Sequence, residues 1–234
     1  MERVLITGAS RGIGLELARQ YLERGDLVLA TARNLNRDAA ADLTALAAQH
    51  GDRCYLLPLV VTDDSAIVAA AEQAARLVDG LDLVINNAGV FPRNERPETL
   101  DAQVLLETLH VNAVAPLIVA REMLPLLRRG QRPRIVNISS QLGSLTRRAS
   151  GRCYSYCSSK AALNMLTRSL AFDLKEDGIV AVVVHPGWVQ TDMGGNHAPV
   201  LVGESARGII ALADGLTLEQ TSKFLTWDGR EHAW

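Results

Sequence analysis

The sequence predicts an α/β protein built on a single doubly wound parallel sheet with helices on both faces. Three observations predict it. Short apolar runs alternate with helical segments of ten or more residues, a glycine-rich turn separates the first run from the first helix, and polar residues recur where the later runs end. At 234 residues the chain fits one domain over 1–234, long enough for a sizeable core without disulfide support.

Val4, Leu5 and Ile6 read as the first strand, ended by Thr7-Gly8. Ile13, Leu17, Ala18, Tyr21 and Leu22 then recur with helical spacing up to a stop at Gly25. Residues 27–32 are the next strand and 39–49 the next helix. Residues 54–61 are apolar enough for a strand buried on both faces, after which Asp64 caps a helix reaching Val78. A fourth strand covers 81–86. A long helical region follows over 98–129, with a break near Asn112 and Pro116. Residues 134–139 are the fifth strand, 154–175 a helix, 179–185 the sixth strand and 204–214 the last helix. Phe224-Leu225-Thr226 reads as an edge strand, and no repeat, low-complexity tract or linker interrupts the series.

A formal charge of -2 supplies no basic field for nucleic acid or an anionic membrane, so the expected partner is a small molecule. Cys54, Cys153 and Cys157 are too few and too irregular for a disulfide framework or a zinc site, which suits a reducing compartment. The early first strand leaves no room for a signal peptide, and no apolar run is expected to span a bilayer, so a cytoplasmic location is predicted. His110 and His197 lack partners at metal-ligand spacing: His110 reads as helix packing and His197 as a substrate-loop contact.

Gly8-Ala9-Ser10-Arg11-Gly12-Ile13-Gly14 falls between the first strand and the first helix, where a parallel sheet binds a pyrophosphate. Glycines let the backbone approach the phosphates, and the helix start offers free N–H groups. The second strand ends Ala32-Arg33-Asn34 without the acid that would accept from an adenosine ribose. Arg33, with Arg11, would instead meet a 2′-phosphate through charge-assisted hydrogen bonds of about 1.5–3 kcal/mol each, which selects NADP(H). Asn86-Asn87-Ala88-Gly89, Ser139-Ser140 and Pro186-Gly187 sit at later strand ends. In Tyr156-Cys157-Ser158-Ser159-Lys160 a phenol and an ammonium lie at i and i+4 on one helix face, where the cation is expected to pull the phenol's pKa down from about 10. Cys157, adjacent to Tyr156, points elsewhere and reads as a bystander.

With these motifs in this order, the chain resembles the short-chain dehydrogenase/reductase family over nearly its whole length. The matching residues are Thr7-Gly8, Gly12, Gly14, Asn86-Asn87-Ala88-Gly89, Asn112, Ser140, Tyr156, Lys160 and Pro186-Gly187. The stretches His185 to Gly195 and Trp227 to Glu231 further resemble the subgroup of C-factor-like proteins and Sniffer-type carbonyl reductases. The resemblance implies a Rossmann fold and reduction of a small aldehyde or ketone by NADPH. It makes Tyr156 the proton donor and Ser140 the group that hydrogen-bonds the substrate oxygen. Lys160 holds the nicotinamide ribose, and Asn112 kinks its helix and holds a water leading from Lys160. The implied cofactor set is Gly8, Ser10, Arg11, Gly12, Ile13, Gly14, Arg33, Asn87, Ala88, Gly89, Tyr156, Lys160, Pro186, Gly187, Val189 and Thr191, with Thr191 on the carboxamide. An NADP-dependent alcohol or hydroxysteroid dehydrogenase and a dinucleotide-binding signalling protein with little turnover are the alternatives. A homodimer or homotetramer is expected through residues 112–127 and 158–174.

Three departures from the family pattern stand out. Val60 occupies the position where relatives place an adenine-reading Asp, and Asp63 is no safe substitute. The loop between Ser140 and Tyr156 is long and made basic by Arg147, Arg148 and Arg152. Residues 194–203 are short where relatives carry a helical lid, which implies a small or open pocket.

Overall fold

The computed structural model describes residues 1–35 and 40–234. Among them, seven strands form one parallel sheet in the order β3-β2-β1-β4-β5-β6-β7. The strands are β1 (Arg3–Ile6), β2 (Leu27–Ala32), β3 (Cys54–Pro58), β4 (Leu83–Asn86), β5 (Arg134–Ile138), β6 (Val180–His185) and β7 (Phe224–Thr226). The helices are α1 (Gly12–Arg24), α2 (Ala41–His50), α3 (Asp64–Leu77), α4 (Ala102–Leu109), α5 (Ala115–Leu127), α6 (Tyr154–Asp173) and α7 (Val202–Gly215).

Each strand turns alternate side chains to opposite faces. Val4 and Ile6 of β1 join Val28, Ile85, Val136 and Val182 under Leu17, Tyr21, Leu43, Ile209 and Ile210 from α1, α2 and α7. Leu5 joins Leu29, Val84, Ile135 and Ala181 under Ile67, Val119, Met123 and Ala171 from α3, α5 and α6. Both faces are therefore covered, which is why the central strands read as continuous apolar runs rather than alternating ones. The chain winds outward in both directions from β1 and β4, and their carboxyl ends open the crevice in which such sheets bind ligands.

Several predicted details change. β3 ends at Pro58 rather than Val61, and as the outer strand of the sheet it leaves Tyr55 and Leu56 half-buried instead of covered on both faces. The cap of α3 is Asp63, not Asp64: its backbone is extended and its carboxylate accepts from the N–H groups of Ser65 at 2.9 Å and Ala66 at 3.2 Å. The predicted start of the second helix at Ala39 lies outside the described residues.

The break near Asn112 is a π turn over His110–Val114 that lets the helix run on from α4 into α5. The joined run Ala102–Leu127 is 26 residues and holds an 18-residue stretch with a mean hydropathy of 1.4, long and apolar enough by length and composition to cross a bilayer, contrary to the sequence expectation. Within the fold α4 packs against α6 and α5 against α3, and a third of the apolar stretch is buried.

Candidate active site

The glycine turn is shaped by close approach. Gly8 has φ +66°, and a Cβ there would lie 2.9 Å from the Ala88 Cα. A Cβ on Gly14 would lie 2.4 Å from both the Asn87 Nδ2 and the Gly8 carbonyl oxygen. Thr7 ties the turn to the end of β4, its Oγ1 accepting from the N–H groups of Asn87 at 3.0 Å and Ala88 at 3.1 Å. The Asn87 amide returns two bonds, to the carbonyls of Thr7 and Gly8, both at 3.0 Å. Asn87 thus braces the loop with its side chain, while Ala88 and Gly89 line the crevice with backbone.

A pyrophosphate fits this cradle. α1 begins without any side-chain cap and without an acidic residue in its first turn, so its N–H groups are not claimed by a carboxylate. By contrast, Asp63 caps α3 and Asp101 caps α4. Ser10 and Ile13 are half-buried in the turn, and Arg11 and Arg33 are exposed at the same sheet edge. Arg11 reaches Asp192 at 3.1 Å, but with both side chains open to solvent this pair holds little in place. Val60 is exposed at the end of β3, and Asp63 has its carboxylate committed to capping.

Across the crevice, α6 carries Tyr156 and Lys160 one turn apart, both buried. Of the serines after β5, Ser139 donates to the Asn164 Oδ1 at 2.6 Å, whereas Ser140 accepts from the Leu142 N–H at 3.1 Å and lies close enough to the Tyr156 hydroxyl to lower its pKa. Lys160 donates to the Ile138 carbonyl at 2.7 Å and lies 5.8 Å from the Tyr156 ring centre. The short turn Gln141–Gly143 packs directly on α6, where a Cβ on Gly143 would meet the Lys160 backbone at 2.8 Å.

The expected depression of the Tyr156 pKa by Lys160 is not found. Burial pushes the phenol up to about 12, opposed by the Ser140 hydroxyl beside it. Burial also pulls the Lys160 ammonium down to about 8, and its donor is turned to a carbonyl rather than to the phenol. The phenol is therefore protonated at neutral pH.

Asn112, fully buried in the π turn, accepts from the Val90 N–H at 2.8 Å and donates to the Val90 carbonyl at 2.9 Å and the Ser159 Oγ at 3.0 Å. Ser159 passes the chain on to the Tyr156 carbonyl at 2.8 Å. Pro186 and Gly187 leave β6 with Gly187 at φ +90°, and the Pro186 carbonyl accepts from Ser205 of α7 at 2.6 Å. Val189 bridges to Val200 and closes the short loop between them. The Thr191 methyl lies 3.5 Å from the position a Gly12 Cβ would take, so this loop faces the glycine turn. His110 is half-buried in the π turn and His197 is exposed on the short loop.

Sequence reasoning missed the segment just after Asn86-Asn87-Ala88-Gly89. Phe91 meets the Tyr156 ring edge-on with centroids 4.6 Å apart. Arg93 donates to the carbonyls of Asp192 at 3.1 Å and Met193 at 3.0 Å, fastening this segment to the loop that carries Thr191. Glu95 is buried against Ser155. The available signal was position alone: these residues follow directly from a strand's carboxyl end.

A glycine cradle at an open helix start, facing a Ser-Tyr-Lys cluster across the crevice of a doubly wound sheet, defines a dinucleotide-dependent oxidoreductase domain. The short chain dehydrogenase family model matches residues 2–199, and the chain belongs to that family. It is similar to the NADPH-bound carbonyl reductase from chicken fatty liver, with a TM-score of 0.95 and 36% identity over 100% of this chain and 99% of that one. The carbonyl reductase Sniffer of D. melanogaster superposes with a TM-score of 0.94 at 34% identity, over 100% of both chains. The C-signal of Myxococcus xanthus is 42% identical over 154 residues, 66% of this chain and 93% of that protein.

Proposed function

We propose that this chain reduces small aldehydes or ketones to alcohols, using NADPH. The observation that carries the reading is a buried Tyr156 beside Ser140, with Lys160 one turn on, facing an uncapped glycine-rich helix start at the same sheet edge. The likeness to two carbonyl reductases, one with NADPH bound, supports both reaction and cofactor. Bound NADPH supplies the hydride. Tyr156 gives its proton to the carbonyl oxygen, burial keeping it in the protonated, donating form at neutral pH while weakening it as an acid. Ser140 hydrogen-bonds the same oxygen and stabilises its developing negative charge. Lys160 and Thr191 would hold the nicotinamide riboside of bound NADPH, and Asn112, tied through Ser159 to the Tyr156 helix, would hold the water from which the donor's proton is replaced. NADPH oxidation against a panel of aldehydes, diketones, quinones and cyclic ketones tests the reading, and no turnover with any of them would count against it.

Arg33 and Arg11 select the 2′-phosphate in this reading. Arg33→Asp is expected to weaken NADPH binding at least about tenfold, the worth of one charge-assisted hydrogen bond, with little change for NADH. Calorimetry with both dinucleotides checks this, and equal losses would remove Arg33 from phosphate recognition.

The chain also carries exposed apolar side chains on two neighbouring helices, Leu106 and Val114 on the α4–α5 run and Met165 and Phe172 on α6. They support a homodimer or homotetramer, which sedimentation at micromolar concentration will reveal as a species larger than the monomer. The three free cysteines suit a cytoplasmic location.

A further inference from the structure

The helix that carries Tyr156 and Lys160 begins without a cap of its own. Arg152 and Cys153 both have left-handed backbones, at φ 64° and 53°, and turn the chain sharply into α6. Cys153, at the capping position, makes no side-chain hydrogen bond to the helix, and the first turn holds no acidic residue. A helix start buried without partners is costly.

The partner comes from 60 residues away in the sequence. Glu95, 8% exposed, accepts from the Ser155 N–H at 3.0 Å and from the Ser155 hydroxyl. Ser155 is fully buried and directly precedes Tyr156. The segment that delivers Glu95 is itself held in shape. Asn112 grips Val90 through two hydrogen bonds, Phe91 lies against the Tyr156 ring, and Asn94 adopts φ 64° to turn the chain inward. A carboxylate at a helix N-terminus is favoured by the free N–H groups and the helix dipole, and this one takes the role that Asp63 and Asp101 play locally for α3 and α4.

We propose that Glu95 is a positioning residue for the proton-transfer step, capping the catalytic helix from outside it and so fixing the Tyr156 hydroxyl against Ser140. The proposal rests on the reductase reading above. Glu95 touches neither Tyr156 nor Lys160 through a hydrogen bond, and it acts through Ser155 and the first turn of α6. An error of about 1 Å at a reacting group costs on the order of a hundredfold in rate, so a helix start need shift only slightly to be felt.

The test compares Glu95→Ala with Glu95→Gln, whose amide oxygen still accepts from the Ser155 N–H. Expected for Glu95→Ala is a fall in kcat of about tenfold to a hundredfold with NADPH affinity within about twofold of the parent. Glu95→Gln recovers most of that loss. Ser155→Ala, which keeps the backbone bond and loses only the hydroxyl, serves if Glu95→Ala does not fold, and its kcat falls by about threefold or more. A kcat equal to the parent's in Glu95→Ala, or in Ser155→Ala where the first variant does not fold, overturns the proposal, as does a Glu95→Gln variant as impaired as Glu95→Ala. Amide exchange at residues 155–157 of the protein without added substrate separates this from failure of the reductase reading. A parent that turns over no carbonyl overturns that reading and the catalytic role with it, whereas faster exchange by about tenfold in Glu95→Ala still establishes the cap.

Discussion

Tyr156→Phe is expected to lower carbonyl reduction by about a thousandfold or more while NADPH still binds, since the substitution removes the proton donor and leaves the ring in place. The ring is half of an edge-on pair with Phe91, and a phenylalanine keeps that contact, so the fold around the site persists. The hydroxyl lost is the one beside Ser140. Burial holds the phenol's pKa up at about 12, so the donor itself keeps its proton until strongly alkaline conditions, and the parent's reduction rate is expected to fall first near pH 8, where the buried Lys160 ammonium loses its proton. Single-turnover NADPH oxidation, paired with calorimetry, measures both halves of the prediction. A variant that keeps parental turnover would move the proton-donor role elsewhere.

The second large effect falls on the glycine turn. Gly14→Ala would set a methyl group 2.4 Å from the Gly8 carbonyl oxygen, a backbone atom that cannot swing aside, and equally close to the Asn87 amide. Forcing atoms into a filled space costs about 1–3 kcal/mol, and the same displacement deforms the turn proposed to hold the pyrophosphate. If that strain is felt in binding, NADPH affinity falls by about tenfold to a hundredfold. Thermal unfolding and calorimetry on one preparation read both consequences, and parental NADPH affinity would show that Gly14 does not shape the cradle.

What could be read from the sequence is what local chemistry decides. Apolar runs between helical segments marked the strands, three to six residues long, because a sheet covered on both faces has no polar side to interrupt them. The glycine turn, the Tyr156–Lys160 spacing and the break at Asn112 were legible because each depends on residues a few positions apart. Decisions left to backbone angles or made at longer range were not. Whether Asp63 or Asp64 caps α3 turns on one residue's backbone angles, and β3 proved half-exposed because no strand lies beyond it in the sheet. The tyrosine–lysine pair misled on electrostatics, since i and i+4 spacing fixes a shared face but not how deeply that face is buried or which carbonyl the ammonium finds. Glu95 was invisible for the same reason: a cap supplied from 60 residues away leaves no local pattern.

The Arg93 clasp has an implication for how the rim of this crevice can vary among descendants of the chain. Both of its acceptors are main-chain oxygens, at Asp192 and Met193, and every amino acid provides one. Residues 192 and 193 can therefore change identity, and with them whatever chemistry the rim offers an incoming molecule, while the fastening between the two segments persists. Mutational drift at these two positions can retune selectivity without first dismantling the scaffold, and Arg93 is the side chain on which that latitude depends.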